Sequence, residues 1–296
     1  MKCISIIVVK SVALLILFNS QIHAQEAPLK VVASFSILGD LIKQVGGDNV
    51  VVSLIVGTNR DAHNFSPSPQ DAAKLKSADL IVINGLGFEM WADRFVKASG
   101  YQGVKLVASK GIKALKPVGD AHGLYDPHAW QDVDNVKIYI KNIRDELINL
   151  RPNNKNNFEF RANRYLDQLN QLQHEIKTTF NSIPSERRRV VTSHDAFTYF
   201  GDAYGILFYA PVGISGEAEA SAQKVAQLIT QIRSEKITAV FIENISNGRV
   251  VEMISKETGA KIGGILYSDA LSSNPEASSY INMMRHNTKL ISSAMK

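Results

Sequence analysis

Residues 152–184 read PNNKNNFEFRANRYLDQLNQLQHEIKTTFNSIP, and this stretch decides the architecture. Phe158, Ala162, Tyr165, Leu169, Leu172, Ile176, Phe180 and Ile183 recur every three or four residues, the spacing of one helix face. The opposite face carries Asn163, Arg164, Gln168, Gln171 and Glu175. No Gly or Pro falls between Asn153 and Ile183, and Pro184 ends the pattern. The spacing predicts one helix over 153–183, about 46 Å long at 1.5 Å per residue, longer than a small domain is wide. The alternative is two helices broken near Asn170. An unbroken helix of this length reads as a rigid strut between two lobes.

The flanking sequence supports two lobes. Before the strut, residues 30–35, 50–55, 80–84 and 104–107 are short β-branched or apolar runs bounded by turn residues. Helical stretches at 37–45, 69–77 and 88–98 separate them, and residues 132–150 add an amphipathic helix. After the strut the alternation restarts, with strands expected at 189–193, 206–210, 238–243 and 261–266 and helices at 220–233, 245–258 and 275–292. Strand alternating with helix implies parallel sheets covered on both faces. The fold class is therefore α/β: two similar lobes with parallel sheets flanked by helices, joined by one long rigid α-helix, with a site between them. The expected organisation is 1–24 signal peptide, 25–152 N-terminal lobe, 153–183 linking helix and 184–296 C-terminal lobe.

Composition narrows the function. The 296 residues are 45% hydrophobic and 21% charged, values of an ordinary globular chain. Lys+Arg number 33 against 28 Asp+Glu, a balance of +5 too mild to argue for nucleic acid. Lys2 and Lys10, the apolar run 12–18 and Ile22-His23-Ala24 describe a secretory signal cleaved after Ala24. The apolar run is too short to span about 30 Å of hydrocarbon. Cys3, the single cysteine, lies ahead of that run, so the mature chain is expected to be cysteine-free, periplasmic and not a lipoprotein.

Ligands of open parallel sheets sit beyond the carboxyl ends of the strands. Four metal-competent residues fall there: His63 in Asp61-Ala62-His63-Asn64-Phe65, His128 in Asp126-Pro127-His128-Ala129-Trp130, His194 directly after the strand 190–193, and Asp269 in Tyr267-Ser268-Asp269-Ala270-Leu271. Neutral imidazoles with a carboxylate suit a first-row divalent metal. Their separations of 65, 66 and 75 residues include no chelating pair, so spacing alone does not identify a metal site. His174, on the polar helix face, and His286, on the last helix, are not candidates. His122, in the loop 119–125, is intermediate. No His-Glu-x-x-His and no phosphate loop is present, and Gly85-Leu86-Gly87 reads as a plain turn.

Those four segments, in that order, resemble the ligand segments of the zinc and manganese substrate-binding proteins of ABC transporters, the cluster A-I or adhesin-like metal receptors. Residues 214–220, Ile-Ser-Gly-Glu-Ala-Glu-Ala, resemble a further family segment. The resemblance runs from Val31 to Leu290. It implies two α/β lobes joined by a long helix, and metal ligands at His63, His128, His194 and Asp269. It also implies a periplasmic receptor that passes Mn2+ or Zn2+ to a permease in the inner membrane. The expected partners are the metal ion and that permease, with no nucleic acid, and the chain is expected to be a monomer. Many zinc-specific members carry a long His- and acid-rich loop where this chain has only His122. Many manganese members have Glu where it has His194. Metal identity therefore stays open between Mn2+ and Zn2+. Glu243 is the first candidate to orient an imidazole, ahead of Asp61 and Asp126. No enzyme activity is expected; an extracellular adhesin-like protein and a periplasmic zinc metalloenzyme are the alternatives.

Overall fold

The computed structural model describes residues 26–117, 125–214 and 220–296; the expected signal peptide, His122 and most of the segment 214–220 lie outside the described residues. In the N-terminal lobe β1 (Leu29–Ala33), β2 (Val50–Leu54), β3 (Leu80–Ile83) and β4 (Val104–Val107) form one parallel sheet in the order β2-β1-β3-β4. β3 is buried at all four positions, as a strand covered on both faces must be. Helices α1 (Ser36–Gly46), α2 (Pro69–Lys76), α3 (Ala92–Ser99) and α4 (Val133–Leu150) complete the lobe. In the C-terminal lobe β5 (Arg189–Val191), β6 (Leu207–Tyr209), β7 (Ala239–Glu243) and β8 (Lys261–Leu266) repeat the order as β6-β5-β7-β8. Its helices are α6 (Thr198–Tyr204), α7 (Ala222–Ser234), α8 (Arg249–Thr258) and α9 (Tyr280–Ala294).

Between the lobes runs α5 (Lys155–Asn181), a single helix of 27 residues and about 40 Å. Its apolar face from Phe158 to Phe180 is buried throughout. It packs on α1 and α4 of one lobe and on α6 and α9 of the other. One continuous core therefore extends from the N-terminal sheet along α5 to Phe197, Phe200, Phe241 and Tyr280. A smaller separate core, including Val225, Leu228, Val240 and Ile254, lies under α7 and α8 on the outer face of the second sheet.

Some helix starts differ from the sequence expectation. α3 begins at Ala92 rather than Phe88, because Gly85, Leu86 and Gly87 all take positive φ and turn the chain first. α8 begins after Gly248, whose φ is +67°, instead of at Ile245. Residues 275–277 form a separate 3-10 turn, and α9 starts only after Ser279, whose side chain accepts from the Asn282 N–H. Helix α6 went unassigned from the sequence because seven residues interrupted by Gly201 carry no usable periodicity.

Candidate metal centre

The four residues singled out in the sequence converge at the carboxyl ends of the two sheets. His63 sits in the loop after β2, and His128 in the turn that leads into α4. His194 follows β5 and Asp269 follows β8. One ligating atom from each lies within 4.8 Å of all the others. His63 Nε2 is 3.1 Å from His128 Nε2 and 3.5 Å from Asp269 Oδ2. His194 Nε2 is 3.3 Å from Asp269 Oδ2, and His128 Nε2 is 3.6 Å from Asp269 Oδ1. A tetrahedron with metal–ligand distances of about 2.1 Å has edges of about 3.4 Å. Asp269 is completely buried, yet among the described residues neither of its oxygens has a hydrogen-bond partner, and nor has His194 Nε2. Buried polar atoms without partners are costly unless something else satisfies them, and a cation among them would.

Two of the imidazoles are held from behind. Asp126 Oδ1 accepts the His128 main-chain N–H at 2.8 Å and lies 2.8 Å from His128 Nδ1. Glu243 at the end of β7 does the same for His194: Oε1 accepts its main-chain N–H at 2.9 Å, and Oε2 lies 2.5 Å from Nδ1. Each carboxylate favours the proton on Nδ1 and turns Nε2 toward the centre. Glu243 thus has the expected place, and Asp126, ranked lower in the sequence, equals it. Asp61 acts on the loop instead, accepting the His63 N–H and the Asn64 side chain.

Three carboxylates face three imidazoles in a buried site, and the ionisations follow. Burial opposes charge on His128, but Asp269 and Asp126 outweigh it and push its pKa up to about 9. His194 is likewise held well above the ordinary range, against burial, by Glu243 and Asp269. Burial would raise the Asp269 carboxyl, yet His128 and His194 bring it well below the ordinary value. In the absence of metal the site thus favours protons on His128 and His194, two positive charges where a dication would sit.

The other described histidines are elsewhere. His174 is exposed on α5, and the His286 ring bonds the Ile265 carbonyl. The sequence reading missed the contacts that hold Asp269 from the opposite lobe. Trp130 Nε1 and Gln131 Nε2 both donate to the Ser268 carbonyl, at 2.9 and 2.8 Å, and the Leu271 N–H donates to Ser36 Oγ at 2.9 Å. Trp130 stands two residues after His128 in the quoted segment, but nothing in the sequence marks Ser268 as its partner.

A parallel two-lobed α/β fold with an inter-lobe cluster of three histidines and one aspartate defines a class of metal-handling binding proteins. The chain belongs to the family described as zinc-uptake complex component A, periplasmic, which it matches over residues 31–294. It is 35% identical over 260 residues to the manganese-binding lipoprotein MntA of Halalkalibacterium halodurans, covering 88% of this chain and 86% of that one. The iron-binding protein YfeA of Yersinia pestis is 35% identical over 263 residues, covering 86% and 83%. Among solved structures, the periplasmic zinc-binding protein TroA of Treponema pallidum superposes with a TM-score of 0.86 at 30% identity, covering 91% of this chain and 99% of that one.

One expectation is corrected by these relatives. MntA and the streptococcal manganese transporter proteins PsaA are lipoproteins by name, so the statement that this chain is not a lipoprotein does not stand. It rested on where Cys3 lies relative to the apolar run, within a segment outside the described residues.

Proposed function

We propose that this chain captures one divalent transition metal, Mn2+ or Zn2+, between its lobes and delivers it to an ABC importer, with His63, His128, His194 and Asp269 as the ligands. The convergence of three imidazole nitrogens and a fully buried carboxylate that has no hydrogen-bond partner among the described residues carries this reading. Neutral imidazoles with Asp269, Asp126 and Glu243 ionised bring a dication to a local charge of −1. Both oxygens of Asp269 face the cluster, which supports bidentate binding and a five-coordinate site open to manganese; monodentate Asp269 gives the tetrahedral site that suits zinc.

Four protein ligands leave no position for an activated water, so the arrangement serves carriage rather than hydrolysis. The names of the relatives, manganese ABC transporter substrate-binding lipoproteins among them, support the same role. The partners under this reading are the metal and an ABC permease, and the receptor acts as a monomer. The continuous α5 favours a small lobe tilt on loading over a wide closure. Elemental analysis of protein purified without added metal, followed by competitive zinc and manganese titration, tests the proposal. One equivalent of either metal is expected, and no binding of either would remove the reading.

A further inference from the structure

The three imidazoles are not held alike. His128 and His194 each have a carboxylate on Nδ1, whereas among the described residues no carboxylate meets His63 Nδ1. His63 is also the least buried of the four proposed ligands. Against its ring lies Phe88, edge-to-face, with centroids 4.4 Å apart and planes at 74°; the same Phe88 ring meets His128 only at 6.1 Å. Phe88 is fully buried and wedged against Phe35 at 4.9 Å and Trp130 at 4.7 Å.

The chain makes an unusual effort to place Phe88. Gly85, Leu86 and Gly87 take φ of +86°, +56° and +83°, and the value for Leu86 is one that L residues rarely adopt. A Cβ at Gly85 would also meet Val107 Cγ1 at 2.5 Å. The buried Glu89 carboxylate gathers the turn, accepting the Asn84 N–H at 2.8 Å, the Gly85 N–H at 3.2 Å and Ser34 Oγ at 2.5 Å. The Asn84 side chain donates to the Pro127 carbonyl and accepts from Tyr139 OH, tying the turn to the segment that carries His128.

We propose that Phe88, fixed by the Glu89-gathered turn, is the positioning residue for His63 and sets how fast the metal leaves. The inference rests on His63 being a ligand. A carboxylate would lock the imidazole; an aromatic edge holds the ring in place without a hydrogen bond and lets it swing when the rim opens. His63 is then the ligand that leaves first on release.

Cobalt(II) as a spectroscopic probe tests this on the full chain. The Co2+-loaded protein is mixed with excess chelator and the visible band is followed by stopped flow. Phe88→Leu is expected to speed dissociation between about 2-fold and about 10-fold, the range an edge-to-face pair supplies, and to shift the band. Phe158→Leu, a fully buried change on α5 with no ring contact to Phe88 or to a histidine among the described residues, is expected to lower the melting temperature without changing the rate or the spectrum. Equal rate effects from the two variants, or none from Phe88→Leu, would overturn the inference while leaving the metal reading intact. Should Phe88→Leu lack a cooperative melt, Glu89→Gln carries the test: faster dissociation supports the proposal and an unchanged rate overturns it. A wild-type chain that takes up no Co2+, Zn2+ or Mn2+ would instead overturn the metal reading itself.

Discussion

The floor of the metal centre and its rim are built on different principles. On the floor, His128 and His194 are buried, each backed by a carboxylate that lies against its ring and accepts its main-chain N–H. Asp269 is clasped from across the cleft by Trp130 and Gln131 through the Ser268 carbonyl. At the rim, His63 rides on a surface loop stayed by Asp61, by a Trp91 bond to the Ala62 carbonyl and by the edge of Phe88. A carrier needs affinity and exchange together, and with these residues as the proposed ligands the contrast would divide the two tasks between preorganised side chains and a yielding one.

The largest expected effect comes from taking ligands away. Asp269→Ala should weaken binding by more than about 100-fold, beyond the range for residues behind a ligand, and His128→Ala and His194→Ala should follow it. His63→Ala should cost affinity too, with a larger share in the dissociation rate. His174→Ala should change nothing. Isothermal titration of the five variants checks the order, and equal losses across all of them would show that the ligands are misassigned.

Breaking the floor from behind should cost less. Asp126→Asn and Glu243→Gln are each expected to weaken binding by about 10- to 100-fold, since each loosens the tautomer and orientation of one imidazole. Unchanged affinity in both would mean that the carboxylates serve folding alone. Asp61→Asn should produce the smaller loss, because Asp61 stays the loop and not the ring.

The pH response separates site from scaffold. The His128 pKa of about 9 in the folded, metal-free chain stands above the ordinary value of about 6.5. Its proton therefore stabilises the metal-free fold fully below pH about 6.5, and that stability is lost as pH rises through about 9. His194 acts in the same direction. Metal must displace these protons, so apparent affinity should climb from neutral pH toward pH 9. The thermal shift on metal addition should widen over the same interval. At 100 times the dissociation constant a ligand adds about 2.7 kcal/mol. Scanning calorimetry at pH 6, 7.5 and 9, with chelator and with metal, reads both trends; a shift constant across the series would count against the protonated floor.

How much of this was legible in the sequence follows the range of the signals. Helix α5 stood out because eight apolar residues keep one face with no Gly or Pro between them, and the structure shows the unbroken helix one turn shorter than the pattern. The four converging residues stood out because each follows a strand or opens a turn. The Asp126 role had a local signal that was underweighted: a carboxylate two residues before His128 can accept that residue's own N–H. The reach of Trp130 and Gln131 to Ser268 had none, since it spans more than 130 residues and depends on how the lobes meet. Glu89 was hidden for a related reason. Its partners Asn84 and Gly85 lie at a turn of three consecutive left-handed residues, one of them a leucine that no propensity would place there, and Ser34 reaches it from the end of β1.

The most direct test is X-ray absorption at the metal edge of the fully loaded protein. The account predicts a first shell of three imidazole nitrogens and one carboxylate, at about 2.0–2.2 Å for zinc. That signal should lose one imidazole in His63→Ala, in His128→Ala and in His194→Ala, and none in His174→Ala. A wild-type shell with fewer than three imidazoles, or one unaffected by those three substitutions, would contradict it.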